Sequence, residues 1–272
     1  MDEIIVLKFG TNSLMNGGNG LCEQVFESVM DQVIPFYREG KQFAFVTSGA
    51  RMAGIDLLRE RRIDHTLFSA AQLAGIGARH LLNLWDKWCW NKYRIVTSQL
   101  LLNYVNWRDA GERRSIRKNI LEPLSKGVIL LINQSDPTSE ELPQDEMRLM
   151  LAGISDNDVL ASLVARLIGA KRILFCTDVD YIYEKRPIAG EPLPQHYLEI
   201  DARNIPAHLR EETGNGTNGK GGAGSKVVAA ADCSLANIES VITKLCVEKR
   251  IIDRFLRKEV VGTLLGRETR LG

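Results

Sequence analysis

The sequence predicts an α/β protein, a three-layer α/β/α sandwich around a mostly parallel central sheet. Strand-like segments alternate with helix-like segments along almost all of the 272 residues. The strand-like segments are continuous apolar runs, which is typical of strands buried on both faces of a parallel sheet. Apolar residues make up 44% of the chain, enough for a full core.

The first half of the chain alternates strands and helices up to residue 133. "IIVLKFG" is a short apolar run stopped by glycine, and "QFAFVTSGA", "RIVTSQLLL" and "GVILLIN" have the same character. Apolar residues at helical spacing predict helices over 21–38 and 66–90, and a charged helix is expected over 110–126. This pattern predicts four strands linked by helices.

The second half continues the alternation. "SDNDVLASLVARLIG" predicts a helix that Ser155 and Asp156 can cap and that Gly169 can end. A strand is expected over 172–183 and another in "SVITKLC". Helices are expected over 200–213, in "KVVAAADCSLAN" and in "EKRIIDRFLRKE". The least structured segments are expected at 134–153, 184–198 and 213–224.

Composition excludes several classes of protein. The net charge of +1 gives no electrostatic case for nucleic acid or a membrane surface as partner. Five widely spaced cysteines without a C-x-x-C pair suggest neither a disulfide framework nor a zinc site. The N-terminus does not resemble a signal peptide, and "GVILLIN" is too short to span a bilayer. We therefore expect a cytoplasmic protein.

The glycine-rich segment "GNGTNGKGGAGSKVVAAA" is the most distinctive local feature. Gly214, Gly216 and Gly219 fit a dinucleotide-binding pattern, but a predicted helix precedes them where a strand is required. A P-loop is also excluded, because Gly221 stands where Ser or Thr should bind Mg²⁺. The remaining interpretations are a flexible linker or a loop that approaches an anion. Ser225 could cap the helix that follows, with Lys226 in its first turn.

Polar side chains follow the predicted strands, where ligands of parallel sheets bind. They are Lys8, Ser48, Asn133, Asp136, Thr177 and Asp178, joined by Asn157 and Asp158 at a helix start and by Lys226 after the glycine loop. Each signal is weak alone, since strand-terminal Asn and Asp residues usually form turns. Together, however, two lysines, glycine amides and acids are what phosphoryl transfer needs, because that reaction depends on positioning and charge neutralisation.

The motifs resemble the amino acid kinase superfamily and, within it, the glutamate 5-kinases. "KFGTNSL" resembles K-x-G-T-x-x-L, "VTSGARMAG" resembles V-S-S-G-A-x-x-A-G, and "VILLINQSD" resembles I-P-I-x-N-E-N-D. "SDND" resembles G-D-N-D, "LFCTDVDYIY" resembles L-L-x-T-D-x-x-G-L-Y, and "GKGGAGSKVVAA" resembles G-T-G-G-M-x-T-K-x-x-A-A. The motifs occur in the family's order over nearly the whole chain.

The resemblance implies a role for each matching position. The implied catalytic residues are Lys8, Lys226 and Asp158. The implied substrate-binding residues are Ser48, Asn133, Asp136 and Asn157. The implied ATP-binding residues are Lys8, Gly10, Thr177, Asp178, Lys220, Gly221, Gly222, Ala223, Gly224, Ser225 and Lys226. It assigns no protein ligand to the metal.

The implied reaction is the Mg²⁺-dependent transfer of phosphate from ATP to L-glutamate, the first step of proline biosynthesis. The resemblance also implies a single domain over 1–272, with 1–170 mainly binding the amino acid and 171–272 mainly binding ATP. A homodimer or homotetramer, feedback inhibition by proline and a glutamyl phosphate reductase partner are further expectations. The chain would lack the C-terminal PUA domain that many members carry.

Several positions depart from the family pattern. Gln134 and Ser135 replace an acid and an amide near the substrate, and Ser155, Lys220 and Ala223 replace glycine, threonine and methionine. Tyr181 replaces a glycine, and Arg186-Pro187 stands where Asp-Pro is common. Two alternatives therefore stay open. One is a sibling kinase that acts on another carboxylate, a carbamate or a phosphate, and the other is an inactive protein that binds nucleotides or amino acids.

Overall fold

The computed structural model describes residues 3–103, 107, 109–135, 157–185, 187–188, 190–211 and 223–272. Their strands are β1 (Ile4–Phe9), β2 (Gln42–Thr47), β3 (Thr97–Leu102), β4 (Ile129–Gln134), β5 (Arg172–Thr177), β6 (Ile182–Tyr183), β7 (His196–Asp201), β8 (Glu239–Lys244), β9 (Thr263–Gly266) and β10 (Arg270–Leu271). Their helices are α1 (Thr11–Met15), α2 (Glu23–Arg38), α3 (Ala50–Glu60), α4 (Ala70–Asp86), α5 (Ala110–Ser125), α6 (Asn157–Ile168), α7 (Ala207–Glu211), α8 (Ala223–Leu235) and α9 (Ile251–Leu256). A 3₁₀ turn (His65–Leu67) precedes α4 and a π turn (Lys87–Lys92) follows it.

All ten strands pair into one sheet in the order β10-β7-β9-β8-β5-β1-β2-β4-β3, with β6 beside β7. The six strands from β8 to β3 are parallel to one another. The antiparallel pairs β8–β9, β6–β7 and β7–β10 lie towards the opposite edge of the sheet. The predicted mostly parallel sheet is confirmed.

Helices cover both faces of this sheet. Ile5, Leu7 and Phe9 of β1 lie in one apolar cluster with α2, α4 and α9. Val6, between them, lies in a second cluster with α5, α6 and α8 on the opposite face. Successive side chains of a strand point to opposite faces, so each central strand must be apolar throughout. The predicted three-layer sandwich is therefore confirmed.

The structure corrects several predicted elements. The single strand expected over 172–183 is two strands, because the chain turns after Thr177 and resumes in β6 beside β7. The helix expected over 200–213 is wrong for its first residues, since β7 extends to Asp201 and the described part of that helix is only Ala207–Glu211. Helix α3 and strands β9 and β10 were not predicted.

Helices α3 and α4 touch through two glycines. A Cβ atom on Gly54 would lie 2.0 Å from the Leu73 carbonyl oxygen, and one on Gly77 would lie 1.9 Å from that of Ala50. Neither distance is sterically allowed, so this crossing requires glycine at both positions. Helix α3 starts two residues after Ser48, so the crossing helps to hold the end of β2. None of the described helices is both long and apolar enough to cross a membrane.

Candidate active site

The site lies where the chain leaves the central strand β1. This strand has β2 on one side and β5 on the other, and the strand order runs away from it in both directions. Ligands of open parallel sheets bind at such a switch point, beyond the carboxyl ends of the strands. Ser48, Asn133 and Thr177 all lie at that edge, at the ends of β2, β4 and β5.

Lys8 is the next-to-last residue of β1 and is almost fully buried. Its main chain pairs with Val46 of β2 and Phe175 of β5, so the backbone of the sheet holds it on both sides. A buried ammonium group needs a partner. Asp158, the second residue of α6, forms an ion pair with it through Oδ1 and is itself completely buried.

The same carboxylate also contacts the other predicted lysine. Lys226 Nζ lies 3.1 Å from Asp158 Oδ2, and the Ser225 hydroxyl donates to that oxygen at 3.3 Å. One buried carboxylate thus holds two ammonium groups that come from β1 and α8. The three predicted catalytic side chains are together, and their combined charge is +1.

Helix α8 begins at Ala223, three residues earlier than the sequence predicted. Ser225 is therefore inside the first turn of the helix and is not its cap, so that expectation is wrong. Its hydroxyl bonds to Asp158 instead. Gly224 is buried at the same turn. The side chain of Ala223, and Lys220, Gly221 and Gly222 in full, lie outside the described residues, as does Asp136.

Three predicted substrate-binding side chains form a hydrogen-bonded group beside the lysines. The side-chain amide of Asn157 donates to Ser48 Oγ and to Asn133 Oδ1, each at 2.9 Å. The backbone N–H of Gln134 donates to the same Asn133 oxygen at 2.8 Å. The buried Asn157 Oδ1 accepts no hydrogen bond from the described residues. The group therefore offers both donors and an acceptor to a ligand.

Thr177 and Asp178 lie on the other side of β1, at the end of β5. Thr177 Oγ1 donates to Asp178 Oδ1 at 3.1 Å, and Asn12 Nδ2 donates to Asp178 Oδ2 at 3.0 Å. Burial, the largest influence, raises the pKa of Asp178, but these hydrogen bonds and the charge of Lys226 together lower it below its ordinary value. Asp178 is therefore ionised at neutral pH.

Gly10 connects β1 to α1 and lies close to the end of β5. Its N–H donates to the Cys176 carbonyl at 3.3 Å, and a Cβ atom here would lie 3.5 Å from that oxygen and 3.9 Å from Lys8 Nζ. Burial raises the pKa of the Cys176 thiol to about 12, so this cysteine is not a nucleophile. Asn12 was missed by the sequence reasoning, although it lies within the quoted "KFGTNSL" motif.

No metal site is built from protein side chains alone in the described part of the chain. There, no three His, Cys, Asp or Glu side chains are grouped so that they could hold an ion. Mg²⁺ in phosphoryl-transfer sites commonly relies on one or two carboxylates plus substrate phosphates and water. The ionised Asp178 is a carboxylate of the required kind.

Comparisons with known proteins agree with this geometry. Residues 3–244 match the model of the amino acid kinase family. A glutamate 5-kinase of Alkaliphilus metalliredigens is 31% identical over 228 residues, which cover 83% of this chain and 81% of that protein. A glutamate 5-kinase of Alkaliphilus oremlandii is 30% identical over 266 residues, which cover 97% and 96% of the two chains.

Two solved structures share the fold at low sequence identity. The UMP kinase of Bacillus anthracis superimposes with a TM-score of 0.62 at 15% identity, over 99% of this chain and 98% of that one. The carbamate kinase of Giardia gives a TM-score of 0.60 at 15% identity, over 97% and 99%. The family match, the relatives and the fold agree, and this chain belongs to the amino acid kinase family and is a kinase.

Proposed function

We propose that this enzyme transfers the terminal phosphoryl group of ATP to the side-chain carboxylate of L-glutamate, giving ADP and γ-glutamyl 5-phosphate, the first step of proline biosynthesis. The observation that carries the proposal is the buried Asp158 with Lys8 and Lys226 on its two oxygens. This cluster has Ser48, Asn133 and Asn157 on one side, which suit an amino acid. On the other side is the ionised Asp178 at the end of β5, which suits a nucleotide.

The two lysines are the proposed catalytic groups. A transferring phosphoryl group spreads its negative charge over its outer oxygens, and cations held in advance stabilise it without reorganisation. Asp158 fixes both ammonium groups, and these three side chains together keep one positive charge in excess. That excess favours an anion in front of Lys8 and Lys226.

The proposed acceptor needs no general base. A glutamate side chain has a free pKa of about 4.3 and is already an anionic nucleophile at neutral pH. One carboxylate oxygen forms a bond to the terminal phosphorus while the bond from that phosphorus to the bridging oxygen breaks, and ADP leaves with the electron pair. No proton moves, which agrees with the lack of a histidine among the candidate residues.

The acceptor side supports a zwitterion rather than a phosphate. Its described side chains, Ser48, Asn133 and Asn157, are all uncharged. The unpartnered Asn157 Oδ1 can accept from an ammonium group, while hydroxyl and amide donors can bind a carboxylate. A phosphate acceptor, such as the substrate named for the UMP kinase, would favour additional cations here.

We propose the remaining roles on the same basis. Residues 1–170 mainly bind the amino acid and 171–272 mainly bind ATP, with Thr177, Asp178 and the segment 220–226 around the nucleotide. Asp136 would belong to the acceptor set. Mg²⁺ would enter with ATP, next to Asp178, and would supply neutralisation of phosphate charge. A homo-oligomer in the cytoplasm, inhibition by proline and transfer of the labile product to a reductase complete the proposal.

The alternative is a sibling kinase with another acceptor. It is favoured by Gln134 and Ser135, which differ from the glutamate 5-kinase pattern directly after Asn133. The backbone N–H of Gln134 bonds to the Asn133 side chain, so this departure lies against the acceptor group. The inactive alternative is disfavoured because Lys8, Asp158 and Lys226 are all present and in contact.

The test is ADP release with Mg²⁺-ATP and each of five acceptors: glutamate, aspartate, N-acetylglutamate, carbamate and UMP. Hydroxylamine traps any acyl phosphate as a hydroxamate. We expect hydroxamate with glutamate alone, and a loss of about 10²–10³ in kcat for Lys226→Ala, as for other preorganised charge. Lys118→Ala, at a lysine that is 69% exposed on α5, is the matched control and should keep full activity.

The other outcomes each have a meaning. Turnover with a different acceptor would assign the alternative function and implicate Gln134 and Ser135. Binding of ATP without turnover on any acceptor would contradict the proposal of an active enzyme. Full activity in Lys226→Ala would remove the proposed role of that lysine.

A further inference from the structure

Ser13 is a buried polar residue in the segment that follows β1. It lies in α1 and is 4% exposed, and its hydroxyl makes no hydrogen bond to any described residue. Buried hydroxyl groups are nearly always hydrogen-bonded, so an unpartnered one calls for an explanation. The next two residues of the helix, Leu14 and Met15, have apolar side chains.

The hydroxyl lies beside the catalytic lysine. The position that a Cβ atom on Gly10 would take is 3.6 Å from Ser13 Oγ and 3.9 Å from Lys8 Nζ. Both atoms therefore lie within 4 Å of one common point beside the Cα atom of Gly10. A hydroxyl donor and an ammonium group that lie close together can both bind one phosphate oxygen.

The turn that carries Ser13 is fixed to the nucleotide side of the site. Gly10 N–H donates to the Cys176 carbonyl, and Asn12 donates to Asp178 at 3.0 Å. These two bonds tie the segment from Gly10 to Ser13 to the end of β5. The hydroxyl is thus held at the junction of β1 and β5, where we propose that the nucleotide phosphates bind.

We propose that the Ser13 hydroxyl donates a hydrogen bond to a nucleotide phosphate oxygen that Lys8 also neutralises. Ser13 is then a further residue that positions the phosphate chain. The inference rests on the proposed nucleotide site. It explains why a polar atom is kept in a buried place where the protein alone does not satisfy it.

The chain offers a matched control in Ser162. This serine is also buried and its hydroxyl also lacks a partner among the described residues. It lies in α6 against α8, where its carbonyl accepts a weak bond from Cys233. Ser162→Ala therefore removes a comparable buried hydroxyl from α6 instead of from α1.

The experiment measures thermal unfolding without ligand, and calorimetric binding of ADP and of the imido analogue of ATP with Mg²⁺. The variants are Ser13→Ala, Ser13→Cys and Ser162→Ala. We expect Ser13→Ala to melt at the wild-type temperature or about 2 °C above it, because it removes an unsatisfied buried group. Its affinity for the ATP analogue should fall about tenfold or more, as for a lost hydrogen bond to a charged group.

Ser13→Cys keeps a weak donor and should bind with intermediate affinity, whereas Ser162→Ala should bind like the wild type. Wild-type affinity in Ser13→Ala would overturn the inference, and so would a loss of affinity that appears equally in Ser162→Ala. If the wild-type protein binds neither nucleotide, the proposed nucleotide site itself fails. These results separate the role of Ser13 from the proposed function.

Discussion

Replacement of Asp158 by asparagine tests the charge arrangement at the centre of the site. The variant keeps the size of the side chain and removes the charge that holds Lys8 and Lys226. At the 3.1 Å separation of Lys226 Nζ and Asp158 Oδ2, the attraction is about 5 kcal/mol at an effective dielectric constant of about 20. Desolvation offsets part of this, and removal of one partner of a buried ion pair typically costs about 3–5 kcal/mol.

The expected loss of stability is therefore about 3–5 kcal/mol, or at least about 6 °C in melting temperature for a chain of this size. The assay is thermal unfolding at neutral pH, with and without inorganic phosphate. Because the variant loses the negative charge between Lys8 and Lys226, phosphate should raise its melting temperature more than that of the wild type.

The matched control is Asp232→Asn, which removes a carboxylate 3.6 Å from Arg166 where both side chains are about half exposed. Surface pairs of this kind contribute about 0–1 kcal/mol, so its melting temperature should barely change. If Asp158→Asn melts within about 2 °C of the wild type and does not respond to phosphate, the reasoning about two cations on one buried carboxylate is refuted.

Three further predictions concern other parts of the chain. Gly77→Ala should lower the free energy of unfolding by about 3 kcal/mol, the upper end for overpacking, because its Cβ would lie 1.9 Å from the Ala50 carbonyl oxygen. The exposed helix control Ala71→Gly should cost only about 1 kcal/mol, and equal urea midpoints for the two variants would contradict the close crossing. Asp178→Asn should be less stable than the wild type by a constant amount above the ordinary pKa of 3.8, because the folded-state pKa of Asp178 is lowered. That difference should shrink as the pH falls below this value, and a difference that grows in acid would have the wrong sign. Asn157→Ala should raise the KM for glutamate about tenfold while the KM for ATP stays constant, and steady-state kinetics with each substrate varied would detect the opposite pattern.

The central half of the sheet was predictable because its strands are buried on both faces. β1, β2, β4 and β8 lie where the sequence predicted strands, and β5 is the first half of the strand expected over 172–183. The parallel arrangement also predicted that the polar residues at the carboxyl ends of these strands lie at one edge of the sheet. The structure has four of them there: Lys8, Ser48, Asn133 and Thr177. Parallel strands make this possible, since their carboxyl ends share one edge.

The edge of the sheet was not predictable in the same way. β7 mixes buried, partly buried and exposed residues and pairs with β9, more than 60 residues away. Local signals favoured a loop and then a helix there. Helix α3 was missed as well. Its packing depends on Gly54, and glycine has a low helix propensity.

By itself, the sequence determined the fold class, the family and the candidate residues, because apolar periodicity and motif order are properties of the chain. Only the tertiary structure decided that Asp158 holds Lys8 and Lys226 together, that Ser225 bonds to this carboxylate instead of capping a helix, and that Ser13 lies beside Lys8. The longest of these contacts, between Lys8 and Asp158, joins residues 150 positions apart. These contacts depend on how α1, α6 and α8 pack over the ends of β1 and β5, and no local pattern encodes the distances between side chains on different elements.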